Sequence, residues 1–411
     1  MEEYQNNKAV FQGIVRSDNR VGTRNYIGVI ATENESATVA RQIADYFTDD
    51  RLAGYRNIDG VIPFITTLGG ALDIRGQILE VLRRTMLGYI HNPNIGGMLV
   101  ISLHANKNSV EGFFEAEQLS EGPFLKKLIV CREGGSRKSV EKGIDIVYSM
   151  LQKANAVKKT TVSAENLIVG LKCGGTGRLS GISANPALGV AADLLVQAGA
   201  TVILSETMEL YGVQEELLQR ASNEAVRQKL VSRLNWWLRA IQLKELLASG
   251  EDFQGEYWNL EKSYIEEQAY KGIGIKKAGT TPLMEVYQYA QPIHRKGLVF
   301  MDTPGYDAVA VTGQIAGGAT LIAYTTGTGS CFGAYPSPVV KMAASDDVYE
   351  SMLSDIDLSC GGILTGEADV ETVGRRIFER LLRVASGEKS KAELNGVGRN
   401  EYSPWQIGSI G

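Results

Sequence analysis

The chain has 411 residues, 44% of them hydrophobic, with 42 Lys and Arg against 47 Asp and Glu for a formal net charge of −5. That length buries sizeable cores and sets an expectation of two domains, while the acidic balance excludes a general nucleic-acid-binding face. No 18-residue apolar run offers a membrane span, the polar start MEEYQNNKAV is not a signal peptide, and four cysteines without CxxC spacing build neither a zinc knuckle nor a disulfide framework, so a cytoplasmic protein is expected.

Apolar runs and helical segments alternate along the chain. Residues 11–15 and 26–31 read as strands around the Arg-rich turn RSDNRVGTRN, and 35–47 has helical spacing with Asn34 or Ser36 as cap. Strands over 61–65, 98–103 and 125–130 and helices over 74–86 and 140–154 follow, and the polar stretch KANAVKKTTVSAE (153–165) reads as a linker. Beyond it, 167–171 is a buried-type strand, 173–183 a Gly-rich loop, 187–198 a helix opened by Asn185-Pro186, and 201–204 a second strand. The charged stretch 214–272 reads as almost entirely helical, with Trp236-Trp237 as a core anchor, and GTTP (279–282) breaks it. Strands over 297–301 and 320–324 and a closing amphipathic helix over 370–385 complete an α/β chain. It is read as two Rossmann-like, parallel-rich sheet domains with flanking helices, 1–155 and 156–411, the second with a helical insertion around 214–272.

Strand, Gly-rich loop, helix and strand over 167–212 form a βαβ unit, whose ligands sit beyond the strands' carboxyl ends. Cys173–Asn185 and Glu206–Glu209 both lie there. Five loops (20–25, 134–138, 173–183, 302–307, 325–333) combine Gly with Ser, Thr, Lys or Arg, a set that suits a small polyoxygenated anion. Neither GTGRLSG nor TTGTGSCFG is a P-loop or a dinucleotide fingerprint. Cys173 is either a thiol activated by loop N–H groups or a buried small residue. Glu206 and Glu209 either work as base, acid or metal ligands, or favour a helix N-terminus. Of three histidines, His104 has a better address than His91 or His294, just past a strand end.

NRVGTRNY, EGGSRKSVEKG, CGG with SGISANPALG, SETMELYG, GTTPL, GLVFMDTPGYDAVAVTGQIAGGA and SPWQIG together resemble the altronate/galactarate dehydratase family, from about Phe11 to Gly408. The large subunit of sulfolactate sulfo-lyase is similar too. The resemblance implies a hydro-lyase acting on a small hydroxy acid, most simply a sugar acid such as altronate or galactarate. It implies Fe2+ or another divalent metal as cofactor, with the metal ligands left unassigned. A separate small β-clip subunit is expected as partner, because the family's single-chain members carry such a domain ahead of this region, together with self-association into a homo-oligomer. Glu206, Glu209, Lys138 and Cys173 are carried over as catalytic candidates. Arg24, Asn34, Ser136, Ser180, Asn185, Asp302, Thr326, Ser330 and Lys341 are carried over as substrate-binding ones. The chain departs from the family at Thr66-Thr67-Leu68-Gly69-Gly70-Ala71, where His and Cys are usual, and at His104-Ala105-Asn106-Lys107-Asn108, where G-C-E-x-N is usual. It departs again at Gly177, where CGGSD has its acid, and across 258–271. The alternative reading is a paralogue with altered or lost catalysis that binds a sugar acid or supports an active subunit.

Overall fold

In the computed structural model residues 9–68, 76–105, 109–175, 177–210, 212–249 and 270–407 are described, the side chains of 241–249 and 270–273 excepted. The strands, in chain order, are β1 (Val10–Val15), β2 (Val21–Gly22), β3 (Tyr26–Ala31), β4 (Gly60–Phe64), β5 (Ile95–Ser102), β6 (Leu125–Ile129), β7 (Thr160–Ser163), β8 (Ile168–Gly174), β9 (Thr201–Ser205), β10 (Leu283–Tyr287), β11 (Gly297–Met301), β12 (Leu321–Thr326), β13 (Val339–Ala343) and β14 (Leu358–Ser359). β4-β3-β5-β6 form one parallel sheet and β10-β11-β9-β8-β12-β13-β14 a second.

Two-residue alternation explains the first sheet. Ile27, Val29 and Ala31 of β3 pack with the helices Ala37–Tyr46 and Ser136–Ala154, while Tyr26 and Ile30 join a core shared with the helix Gln77–His91 and the second sheet. Gly28 lies between them because a Cβ there would sit 2.5 Å from Met98 Sδ. In the second sheet β8, the helix Ala184–Gln197 and β9 form the expected βαβ unit. The crossover from β11 through the helix Asp307–Ala316 to β12 runs the opposite way along the sheet. Right-handed connection therefore puts the two helices on opposite faces. Strand order reverses at β8/β12 here and at β3/β5 in the first sheet, and ligand crevices open at such points.

The stretch 153–165 is more than a linker. Its Thr160–Ser163, with the β-branched Thr160, Thr161 and Val162, forms β7, which pairs antiparallel with β1, Val10 opposite Ser163. The predicted helix 214–272 resolves into Gln214–Gln219 and Glu224–Ser249, with Asn223 Oδ1 accepting from Val226 N at 3.1 Å where the second begins. Beyond Ser249 that prediction falls outside the described residues as far as 269, and 270–272, its last three residues, open the 3-10 turn Tyr270–Ala278. Trp237 is buried as expected and stacks on Trp405, ring centroids 5.3 Å apart. The closing helix is Val370–Ala385, as predicted. The chain's last described segment crosses to the first domain: Arg399 pairs with Asp45, and Tyr402 packs edge-on against Phe64 and Tyr89. Among the described residues no helix is long and apolar enough to cross a membrane.

Candidate active site

Lys172 is the one charged residue of β8, and pairing with β9 and β12 leaves its side chain only 1% exposed. A buried ammonium is tolerated only when paired. Lys172 Nζ ion-pairs with Glu206, meets Asp307 Oδ1 at 2.9 Å and donates to Gly305 O at 3.1 Å. Glu206 is the first residue past β9 and has φ +75°, the left-handed region that a non-glycine occupies at a cost. Its own N–H donates to Thr303 Oγ1 at 3.0 Å, which anchors the turn to the end of β11.

That turn sets the Glu206 carboxylate between two ammoniums, Lys172 at Oε1 and Lys277 Nζ 3.0 Å from Oε2. Lys277 belongs to the turn Tyr270–Ala278 and also lies 3.1 Å from Glu209 Oε2. Gly274 makes room, since a Cβ there would run into Glu209 Oε2. At the other end Tyr324 OH donates to Asp307 Oδ2 at 2.7 Å, and a Cβ on Gly174 would collide with that hydroxyl. Glu209, Lys277, Glu206, Lys172, Asp307 and Tyr324 thus form one line across the carboxyl end of the sheet. Its middle and its Tyr324 end are sealed, while Glu209 at the other end is 13% exposed and Asp307, beside Tyr324, 33%.

Burial alone would make both lysines easier to deprotonate. The carboxylates of Glu206 and its neighbours Asp307 and Glu209 reverse this for Lys172, and Glu206 and Glu209 do so for Lys277, so both stay charged. Burial, then Glu209, raises the Glu206 carboxyl against the pull of Lys172 and Lys277. Burial and Asp307 raise the Tyr324 phenol, which keeps its proton.

The residues predicted from sequence divide by sheet. Cys173, Ser180, Asn185, Glu206, Glu209, Asp302, Thr326 and Ser330 gather at the carboxyl edge of the seven-stranded sheet. Cys173 is buried, with Asn185 Nδ2 3.6 Å from its sulfur, and Asn185 Oδ1 accepts from Thr325 Oγ1 at 2.5 Å. Among the described residues Ser180 Oγ is buried without a hydrogen-bond partner, and the missing side chain of Gly327 leaves space beside it, a Cβ there lying 2.7 Å away. Thr326 Oγ1 accepts from Gly329 N at 3.0 Å and Ser330 Oγ from Phe332 N at 3.0 Å. Asp302 Oδ1 accepts from Thr207 Oγ1 at 2.6 Å and Trp237 Nε1 at 2.7 Å. Lys341 is buried in β13 and donates to Ser330 O at 3.0 Å.

Asn34, Ser136 and Lys138 stand exposed at the carboxyl edge of the four-stranded sheet instead. Arg24 requires a correction. It precedes β3 at the opposite, amino end, and its donors go to both Glu393 oxygens and to the carbonyls of Thr23, Val384 and Glu388, at 2.7–2.9 Å. A guanidinium has five N–H donors, so none is left for a substrate.

Lys172, Lys277, Asp307 and Tyr324 escaped the sequence reading. A lysine inside the apolar run LIVGLKCGG was a usable signal, whereas Lys277 stands in an ordinary charged stretch. Among the described residues no three His, Cys, Asp or Glu side chains group to hold a metal ion. The carboxylates of Glu206 and Glu209 already face ammoniums, so this donor set does not fit a divalent cation. The departures at Gly69-Gly70-Ala71 and Asn106-Lys107-Asn108 lie outside the described residues.

Two family models account for nearly all of the chain. The C-terminal model of D-galactarate/altronate dehydratase matches residues 164–410, and the second-domain model of D-galactarate dehydratase/altronate hydrolase matches residues 13–155. The chain belongs to the galactarate/altronate dehydratase family. Galactarate dehydratase (L-threo-forming) of Escherichia coli K12 is 33% identical, covering 92% of this chain and 73% of that protein. Altronate dehydratase of Bacillus subtilis 168 is 29% identical over 95% of this chain and 77% of its own. Subunit beta of (2R)-sulfolactate sulfo-lyase from Chromohalobacter salexigens is 27% identical over 94% of this chain and 95% of its own. Membership in a family of dehydratases makes this chain a carbon–oxygen lyase.

Proposed function

We propose that this family member dehydrates a sugar acid, galactarate or altronate in the first instance, at the line from Glu209 to Tyr324. Such an acid loses the proton α to its carboxylate and the β-hydroxyl. The enol left behind becomes a 2-keto-3-deoxy acid. The observation that carries the reading is a single buried carboxylate, Glu206, held between two permanent ammoniums at the sheet's carboxyl edge. Fixed positive charge there stabilises an enediolate, with no reorganisation at the moment of reaction. Glu206, with both oxygens engaged, positions the lysines. Glu209, more exposed and held through Oε2, is the base, and the proton it takes from the α-carbon leaves with the departing hydroxide as water. Ser180 and the N–H groups of loops 173–183 and 325–333 receive the carboxylate.

Iron has no step in this scheme, because the described donors do not suit it. We further propose that a small second polypeptide completes the site of a cytoplasmic, self-associating enzyme; the likeness to a protein named as a subunit supports this. One set of assays tests these points: 2-keto-3-deoxy acid release from galactarate and D-altronate, with and without ferrous iron, and with and without small co-expressed proteins from the same operon. Turnover on either acid, raised by a small subunit and indifferent to iron, is expected. Glu209→Gln should lower kcat about a hundredfold or more with an unchanged circular dichroism spectrum. Glu209→Gln activity within tenfold of the parent removes the base assignment. Binding without turnover, whatever is added, favours the non-catalytic paralogue.

A further inference from the structure

We infer that Cys131 and His104 form a reactive thiol–imidazole pair, a modification site for peroxides and soft electrophiles separate from the buried charge line. The topology brings them together. β5 and β6 are parallel neighbours that end at Ser102 and Ile129, opposite one another, and the turns that follow place His104 and Cys131, each two residues further on, side by side. Cys131 N donates to Leu103 O at 3.1 Å and Ser102 Oγ to His104 O at 2.9 Å, which fixes both turns. Cys131 Sγ then lies 3.2 Å from His104 Nδ1, and both residues are exposed.

An imidazole in hydrogen-bond contact accepts the thiol proton, and the thiolate is the nucleophilic form. With hydrogen peroxide, the sulfur attacks one oxygen and the O–O bond breaks. The departing hydroxide takes the proton held by His104 and leaves as water. Sulfur is oxidised to the sulfenic acid, peroxide is reduced, and His104 returns to its neutral state.

The other cysteines are internal controls. Cys173 and Cys360 are buried, and burial pushes the Cys360 thiol up to about 12. Cys331 is exposed, with no histidine in hydrogen-bond contact among the described residues. The test treats the full-length chain with iodoacetamide, or with peroxide followed by dimedone, and follows each cysteine by peptide mass spectrometry. Cys131 should react about tenfold faster than Cys331, and His104→Gln, at an exposed position, should bring the two rates together. Cys131→Ser should abolish the fast dimedone adduct. Equal rates in the parent, or an advantage that survives His104→Gln, overturns the pair. Neither result depends on whether the chain turns over a sugar acid.

Discussion

Asp302 carries a charge at a place that does not favour one. It is buried, its Oδ1 holds Thr207 and Trp237, and Arg233 stands 3.8 Å from Oδ2. Burial raises its carboxyl above the ordinary range despite those partners. A carboxyl raised in the folded state binds its proton more tightly there than in the unfolded chain. Its stabilising contribution is therefore full in acid, and it is lost as pH climbs from the unfolded value of about 4 through the raised native one. Asp302→Asn keeps the acceptor and removes the charge. It should match the parent in urea unfolding at pH 4 and exceed it at pH 8, whereas Asp302→Ala should cost about 1–3 kcal/mol at both by orphaning Thr207 and Trp237. A parent more stable than Asp302→Asn at pH 8 would contradict this. At this scale the sequence was half readable. Glu206 and Glu209 declare themselves because they follow an apolar strand, but nothing local shows that Lys277, seventy-one positions later, closes on Glu206.

Elements were easier to read than their partners. The helix Val370–Ala385 has a clean apolar stripe, opens on Asp369, whose side chain accepts from Thr372 N, and matches its predicted bounds. The helix Ser136–Ala154 begins four residues before its predicted start because Gly135, at φ +106°, turns the chain directly into it. β10 and β7 are short and mixed in polarity, and only their neighbours, β11 and β1, make them strands. The loop after β8 carries the sharpest demand at this scale. Gly174→Ala would press a methyl group onto the Tyr324 hydroxyl and break its bond to Asp307, whereas Gly177 has open space around it. Gly174→Ala should cost about 1–3 kcal/mol in denaturant unfolding, and Gly177→Ala little. Equal effects would show that the loop relaxes around the added carbon.

The molecule is joined by a pair that its sequence does not announce. Arg24 belongs to a motif that reads as an anion binder, and it does bind one: Glu393, 369 residues along the chain, buried with it. Removing one member of such a pair strands the other charge, so Arg24→Met should lower stability by about 3–5 kcal/mol. Arg24→Met combined with Glu393→Met should recover part of that loss. A single substitution that unfolds at the parent's urea concentration would show that the joint contributes nothing. The two sheets share one apolar core across this joint, with Gly88 of the helix Gln77–His91 set directly against the Ala316 carbonyl. The final segment closes that core, with Tyr402 over Phe64 and Tyr89 and Trp405 against Trp237. A ribosome makes the four-stranded sheet first and its cover last. While the chain is being translated, the aromatic face of the first domain waits for residues not yet made, the kind of surface that attracts chaperones and invites aggregation. A message truncated near its end would release a protein with the whole buried charge line in place and a sticky side left open.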